Sequence, residues 1–155
     1  MSKPSATSSA PIRARNGLRV VPDHTLASAL PTDVLIVPGG YGTRALLTQP
    51  VLIDWVHTRA TQSELVLSVC TGALVLGQAG LLDALSITTH HSALDRLATM
   101  VPSATVDGSR RFHDNGRIVT AAGISAGIDA SLHVVRRLCV VSATLPEMEY
   151  QETSR

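Results

Sequence analysis

The strongest constraint on this fold is the run "DVLIVPGGYG", residues 33–42: four consecutive aliphatic residues, then a proline and two glycines. An unbroken aliphatic run of strand length suits a strand covered on both faces, as in a parallel sheet. A second run, "ELVLSV" (64–69), leads into Cys70 and then Thr-Gly. Helical spacing follows each run. In "QPVLIDWVHTRATQ" (49–62), Val51, Leu52, Trp55 and Val56 share one face, and "TGALVLGQAG" (71–80) reads as a small-residue helix ending near Gly80.

The alternation continues. "NGLRVVPD" (16–23) reads as a short strand stopped by Pro22, and "SITTH" (86–90) as a third strand of the series. "SALDRLATMV" (92–101) reads as a helix capped by Ser92, with Asp95 completing an acidic capping box. "TVDGSRRFHDNGRIVTAAG" (105–123) reads as short strands turning at Asp114-Asn115-Gly116. "SAGIDASLHVVRRLCVV" (125–141) is the last long helix, with Ile128, Leu132, Val135 and Leu138 as its expected core stripe. Strands alternating with helices predict an α/β sandwich with a mostly parallel sheet. Ligands of such sheets bind beyond the carboxyl ends of the strands. The pattern sends Gly39-Gly40, Cys70 and residues 122–127 there.

Length and charge narrow the function. The chain has 155 residues, 45% of them apolar, and a net charge of +1, which fits one domain with a substantial core and no polyanion partner. Arg110-Arg111 and Arg136-Arg137 are too small for a nucleic-acid patch. No apolar run reaches transmembrane length, and the Ser/Ala/Pro-rich residues 1–11 lack a signal's apolar block, so they read as a disordered tail. Residues 12–150 form the expected domain and 151–155 a second tail. The two cysteines make no disulfide framework, and a reduced, cytoplasmic chain is expected.

The site chemistry centres on Cys70. Strand, Cys, Thr-Gly, helix is the pattern of a nucleophile elbow, a turn whose strain costs on the order of 1–3 kcal/mol. A helix N-terminus favours an anion, and a thiolate is the form that attacks. The amides of Thr71 and Gly40 are candidate oxyanion donors. A free cysteine is otherwise a small buried hydrophobe, the reading given to Cys139 in the apolar rows of the last helix. His90, after the third strand, is placed either to act on the thiol and its substrate or to cap a helix, with His91 the weaker candidate. His24, His57, His113 and His133 read as solvated. No spacing suits a metal, "PGGYG" lacks a phosphate-loop lysine and "GISAG" is no dinucleotide fingerprint. Ser125 reads as a helix cap, and Asp129 as capping or structural.

"DVLIVPGG", "SVCTGALVLGQAGLLDALSITTHH" and "VTAAGISAGIDASLHVV", in this order, resemble the ThiJ/PfpI superfamily with its glutamine-amidotransferase-like fold. The resemblance is to its isonitrile (isocyanide) hydratase branch and to the ligand-sensing domains of AraC-type regulators. It implies a flavodoxin-like three-layer sandwich, usually dimeric, with Cys70 as nucleophile, Thr71 beside it, and the amides of Gly40 and Thr71 as donors near the reacting atom; Gly39 and His90 complete the candidate oxyanion and substrate-binding residues. It implies an isocyanide hydrated to an N-substituted formamide, with no cofactor and no metal. The other roles it implies are a non-catalytic ligand-sensing domain and a thiol-based stress protein or deglycase. The sequence departs from the pattern at its start. Members carry a first strand and helix with a Glu or Asp against the cysteine, and "MSKPSATSSAPIRARNGLRVV" matches only from the second strand region onward. The first strand and its acid are therefore expected to be missing. Smaller departures are His91 for a common Trp, and Ala84 and Ala122 for common glycines.

Overall fold

The computed structural model describes residues 10–14 and 16–138. Cys139 and the C-terminal tail lie outside the described residues, as do residues 1–9 of the N-terminal tail. The first elements are β1 (Ile12–Arg13) and β2 (Arg19–Val20), an antiparallel hairpin set apart from the main sheet. The main sheet runs β3 (Val34–Val37), β4 (Leu65–Val69), β8 (Ile118–Ala121), β7 (Phe112–Asp114). The first three are parallel, and β7 joins β8 antiparallel through the expected turn. Gly116 there adopts φ +82° and its amide donates to Asp114 Oδ1 at 2.8 Å, a conformation that suits glycine.

Two apolar layers sandwich this sheet. On one face lie α2 (Pro50–Gln62), α3 (Gly72–Gln78) and α4 (Leu94–Met100), with α1 (Thr43–Leu46) a single turn after β3. On the other face α5 (Ser125–Leu138) packs Ala130 and Val134 against Leu65, Leu67, Val119 and Ala121. Pro50 occupies the first turn of α2, where no backbone donor is lost. Helix α3 ends as expected: Gly80 takes φ +69° and donates back to Gly77 O.

Several expectations need correction. Strand β3 is not covered on both faces. It is an edge of the described sheet, with Leu35 and Val37 buried and Ile36 57% exposed. Four aliphatics in a row cannot distinguish a central strand from an edge, because period two is hidden when both faces are apolar. In α2 the buried stripe is Leu52, Val56 and Ala60, and Val51 points to solvent. In α5, Ile128, Val135 and Leu138 are exposed, and the core stripe is Ala126, Ala130 and Val134 with Leu132. Small residues face the sheet because helix and sheet approach closely: a Cβ on Gly127 would lie 2.6 Å from Val69 Cγ1.

The third expected strand shortens to β5 (Ser86–Ile87). It pairs with β6 (Thr105–Val106) in a separate two-stranded parallel sheet. The Thr88 amide donates to Thr120 Oγ1 at 3.0 Å and ties that sheet to β8. The helix expected from Ser92 begins instead as a 3-10 turn, His91–Ala93, and its capping side chain is His90. Helix α4 has Ala93 at its N-cap with no side-chain cap, so Ser92 and Asp95 form no capping box.

Candidate functional site

The main sheet's carboxyl edge gathers three chain segments: residues 38–40 after β3, Cys70 after β4, and residues 122–125 after β8. Cys70 takes φ +58°, the left-handed region that costs a non-glycine residue on the order of 1–2 kcal/mol. Its amide donates to Ala121 O and Ala122 O at 3.0 and 3.1 Å, and Thr89 Oγ1 donates to its carbonyl at 2.7 Å. The turn is thus pinned from both neighbouring segments while the residue stays half-buried. Such overdetermination is what keeps a strained conformation populated.

Glycines make the elbow sterically feasible. A Cβ on Gly39 would sit 2.6 Å from Thr71 N and 2.8 Å from Cys70 Cβ, and a Cβ on Gly72 would lie 2.1 Å from Val37 O. Gly40, at φ +134°, donates its amide to Thr71 Oγ1 at 2.9 Å. Thr43 Oγ1 donates to Gly40 O at 2.7 Å and lies 3.0 Å from Thr71 Oγ1. This Gly40–Thr71–Thr43 knot locks the glycine loop to the start of α3. It also engages the Gly40 amide, so of the two expected oxyanion donors the Thr71 amide is the one without a hydrogen-bond acceptor among the described residues.

Beside the elbow opens a concavity of about 290 Å³. Its wall includes Thr89 and Ala122, the residues that hold Cys70, together with His90, His91, Gly123, Ile124 and Ser125. The structure brings Cys70, Thr71, Gly39 and Gly40 together at the elbow; His90 lies in the wall of the concavity beside it, joined to the elbow through its neighbour Thr89. His91 is exposed, with its ring centroid 4.1 Å from that of His90. Among the described residues no side chain hydrogen-bonds the Cys70 sulfur, carboxylates included, and none form a metal-binding cluster. Asp107, near the rim through Gly108, has its carboxyl held below the usual range by the Ser109 hydroxyl and amide, with slight burial opposing.

Other expectations shift. Ser125 accepts from Arg111 Nη2 at 3.1 Å, and Arg111 Nε pairs with Asp129. That network fixes the start of α5 against β7. His113 is not solvated: its side chain is 11% exposed, with Nε2 3.4 Å from Asp107 Oδ2. His133 is half-buried on Asp114 at 2.6 Å, whereas His24 and His57 are exposed. The pattern missed Thr43, and it placed residues 122–127 at this edge without singling out Gly123 or Ile124. Within "GISAG", Ile124 takes φ +47° directly after Gly123 at the end of β8. A β-branched residue there is a conformational outlier. Of the three left-handed non-glycine residues among the described residues, Cys70 and Ile124 flank the site and Ala84 lies away from it.

The DJ-1/PfpI family model matches residues 4–137. Isonitrile hydratase of Pseudomonas putida is 36% identical over 142 residues, 91% of this chain and 61% of that protein. The HTH-type transcriptional regulator CdhR of Pseudomonas aeruginosa is 31% identical across 81% of this chain and 37% of its own. The chain thus spans less than two thirds of these relatives. Among solved structures, a ThiJ/PfpI family protein from Pseudomonas syringae superposes with TM-score 0.86 at 30% identity, covering 97% of this chain and 63% of that one. Drosophila melanogaster DJ-1beta shares the fold at TM-score 0.79 and 18% identity. With the fold, the cysteine elbow and this similarity in agreement, the chain belongs to the DJ-1/PfpI family.

Proposed function

We propose that the chain is a cofactor-independent isonitrile-hydratase-like enzyme, acting through Cys70 on a small isocyanide. The observation that carries the reading is the Cys70 elbow at φ +58°, strained, half-buried and braced beside an open concavity. Similarity to the Pseudomonas putida hydratase supports the substrate class. In this reaction the thiolate sulfur adds to the terminal isocyanide carbon, and that carbon takes a proton from water. The resulting thioimidate adds water, the carbon–sulfur bond breaks, and the N-substituted formamide leaves with the thiol regenerated. The Thr71 amide is the donor facing developing charge, and the glycine loop of Gly39 and Gly40 leaves room for the substrate. Because no carboxylate meets the sulfur among the described residues, the proton comes from solvent and turnover is slow. A missing general acid typically costs 10²–10⁴-fold in rate. The acting unit is a homodimer in the cytoplasm.

The test is formamide production from an alkyl isocyanide by the purified chain and by Cys70→Ala. Product from the first alone supports the reading. Equal product from both removes Cys70 from the mechanism, and product from neither removes the enzyme. Sedimentation velocity reads the homodimer directly.

A sulfur that meets no hydrogen-bonding side chain among the described residues favours a second reading, a ligand-sensing domain without turnover, in line with the similarity to CdhR. A small molecule that raises the Tm and is recovered unchanged would select it. Peroxide oxidation of Cys70 faster than Cys139 would instead mark a thiol-based stress protein.

A further inference from the structure

The imidazole of His90 is held in one tautomer by its own backbone turn. The Ser92 amide, which can only donate, points at His90 Nδ1 at 3.3 Å, and the Ser92 hydroxyl lies 2.9 Å from the same nitrogen. Nδ1 must therefore carry a lone pair, and the proton of the neutral ring sits on Nε2. The ring edge bearing Nε2 lies over Gly123, where a Cβ would come within 2.7 Å of Cδ2 and 3.5 Å of Nε2. Among the described residues Nε2 has no hydrogen-bond partner, and His90 lines the concavity.

We propose that His90 is a hydrogen-bond donor, through Nε2–H, to a carbonyl-type oxygen of the small molecule held between the Cys70 elbow and residues 122–125. Ser92 is the positioning residue that sets the tautomer. This runs against a base role for the histidine. A base acting through Nε2 needs the ring proton on Nδ1, where the Ser92 amide hydrogen already points, and Nδ1 itself is occupied. Of the other polar side chains on the wall, Thr89 already donates its hydroxyl to the Cys70 carbonyl, and Ser125 agrees with a donor role. Ser125 Oγ already accepts from Arg111, so its hydroxyl hydrogen is left to donate. The His90 Nε2–H and the Ser125 hydroxyl are then two donors on one wall, which suits an acceptor. The proposal rests on the reading above only in that a formamide supplies such an oxygen.

The experiment is a long-range ¹H–¹⁵N spectrum of the full chain at pH 7.5, with His90 assigned by loss of its signals in His90→Gln, followed by titration with N-methylformamide. The expected spectrum has Nε2 of His90 protonated and Nδ1 bare, and the Nε2–H signal moves as the probe binds. Affinity for the probe should fall about 10-fold in His90→Phe, the size of one lost hydrogen bond, and stay within about threefold in His90→Gln, which retains a donor. Ser92→Ala should raise the population of the Nδ1–H form. An unchanged tautomer there would overturn the role of the Ser92 side chain. A protonated Nδ1 in the parent, or an Nε2–H signal unmoved by 100-fold excess probe, would overturn the proposal. Running the titration on Cys70→Ala separates it from the reaction: movement of the His90 signal there upholds it even if no isocyanide is turned over. Turnover without that movement overturns the donor role alone.

Discussion

At the scale of single residues, backbone strain and steric room decide what this chain tolerates. Ala84 sits exposed at φ +59°, away from the site, where nothing in the structure uses its strain. Ala84→Gly should therefore stabilise: relief of the left-handed penalty exceeds the added entropy of the unfolded glycine by about 0.5–1 kcal/mol. Differential scanning calorimetry should show a Tm rise of about 2 °C. Gly72→Ala should do the reverse. Its Cβ would be driven to 2.1 Å from the Val37 carbonyl, so β3 and α3 must move apart. A loss of about 3 kcal/mol is expected in urea unfolding, and no measurable loss would mean the close approach is relaxed in solution. Both positions were visible in the sequence as glycine-rich or glycine-replaced sites. Which of them carries strain and which carries crowding is a matter of φ and of neighbours.

At the scale of elements, the corrections share one cause. Sequence periodicity shows that a segment has an apolar face, not which neighbour covers it. In α5 two apolar rows compete. The small Ala130 packs on the sheet with Val134, and the close approach of Gly127 to Val69 leaves no depth there for isoleucine. Ile128 and Val135 are left lining an apolar groove of about 440 Å³ with Val69 and Leu132. In β3 and β4 the same aliphatic composition has different worth. Leu67→Ala, in a strand paired on both sides and 1% exposed, should cost about 3 kcal/mol. Ile36→Thr, on the edge strand and 57% exposed, should cost less than about 0.5 kcal/mol. Chemical denaturation of the two variants checks the contrast, and comparable losses would mean that β3 is covered in solution. The turn after β7 offers a further check. Burial works to raise the Asp114 pKa, but the His133 hydrogen bond, the Gly116 amide and Arg137 outweigh it and hold it below 3.8. A depressed folded value means that the stability from this carboxylate is complete above its unfolded value and is lost as the pH falls through the folded one. The Tm difference between the parent and Asp114→Asn should thus be present at pH 6 and shrink towards pH 2.5.

At the scale of the whole molecule, stability is unevenly distributed. Strands β4 and β8 lie between two helical layers, whereas strands β1 and β2 are exposed. The segment joining the hairpin to β3 is held by Trp55 Nε1 donating to Leu26 O at 2.8 Å and Arg59 Nη2 donating to Ala29 O. Native-state hydrogen exchange should therefore find the slowest amides in β4 and β8 and the fastest in the hairpin. Trp55→Phe should open residues 24–30 to limited proteolysis without changing exchange in β4. Among the described residues no helix is long and apolar enough to cross a membrane.

The sequence alone determined the strand–helix alternation, the turn at Gly116, the ends of α2 and α3, and the elbow at Cys70. Each depends on residues within a few positions of one another, where propensity and glycine placement speak directly. Tertiary structure decided the rest: that β3 is an edge, that the strand expected in "SITTH" leaves the main sheet, and that His90 rather than Ser92 caps its turn. It also decided that Gly40 gives its amide to Thr71. Each of these turns on a partner roughly 20 to 50 residues away or on competition between neighbouring caps, and neither leaves a period in the chain.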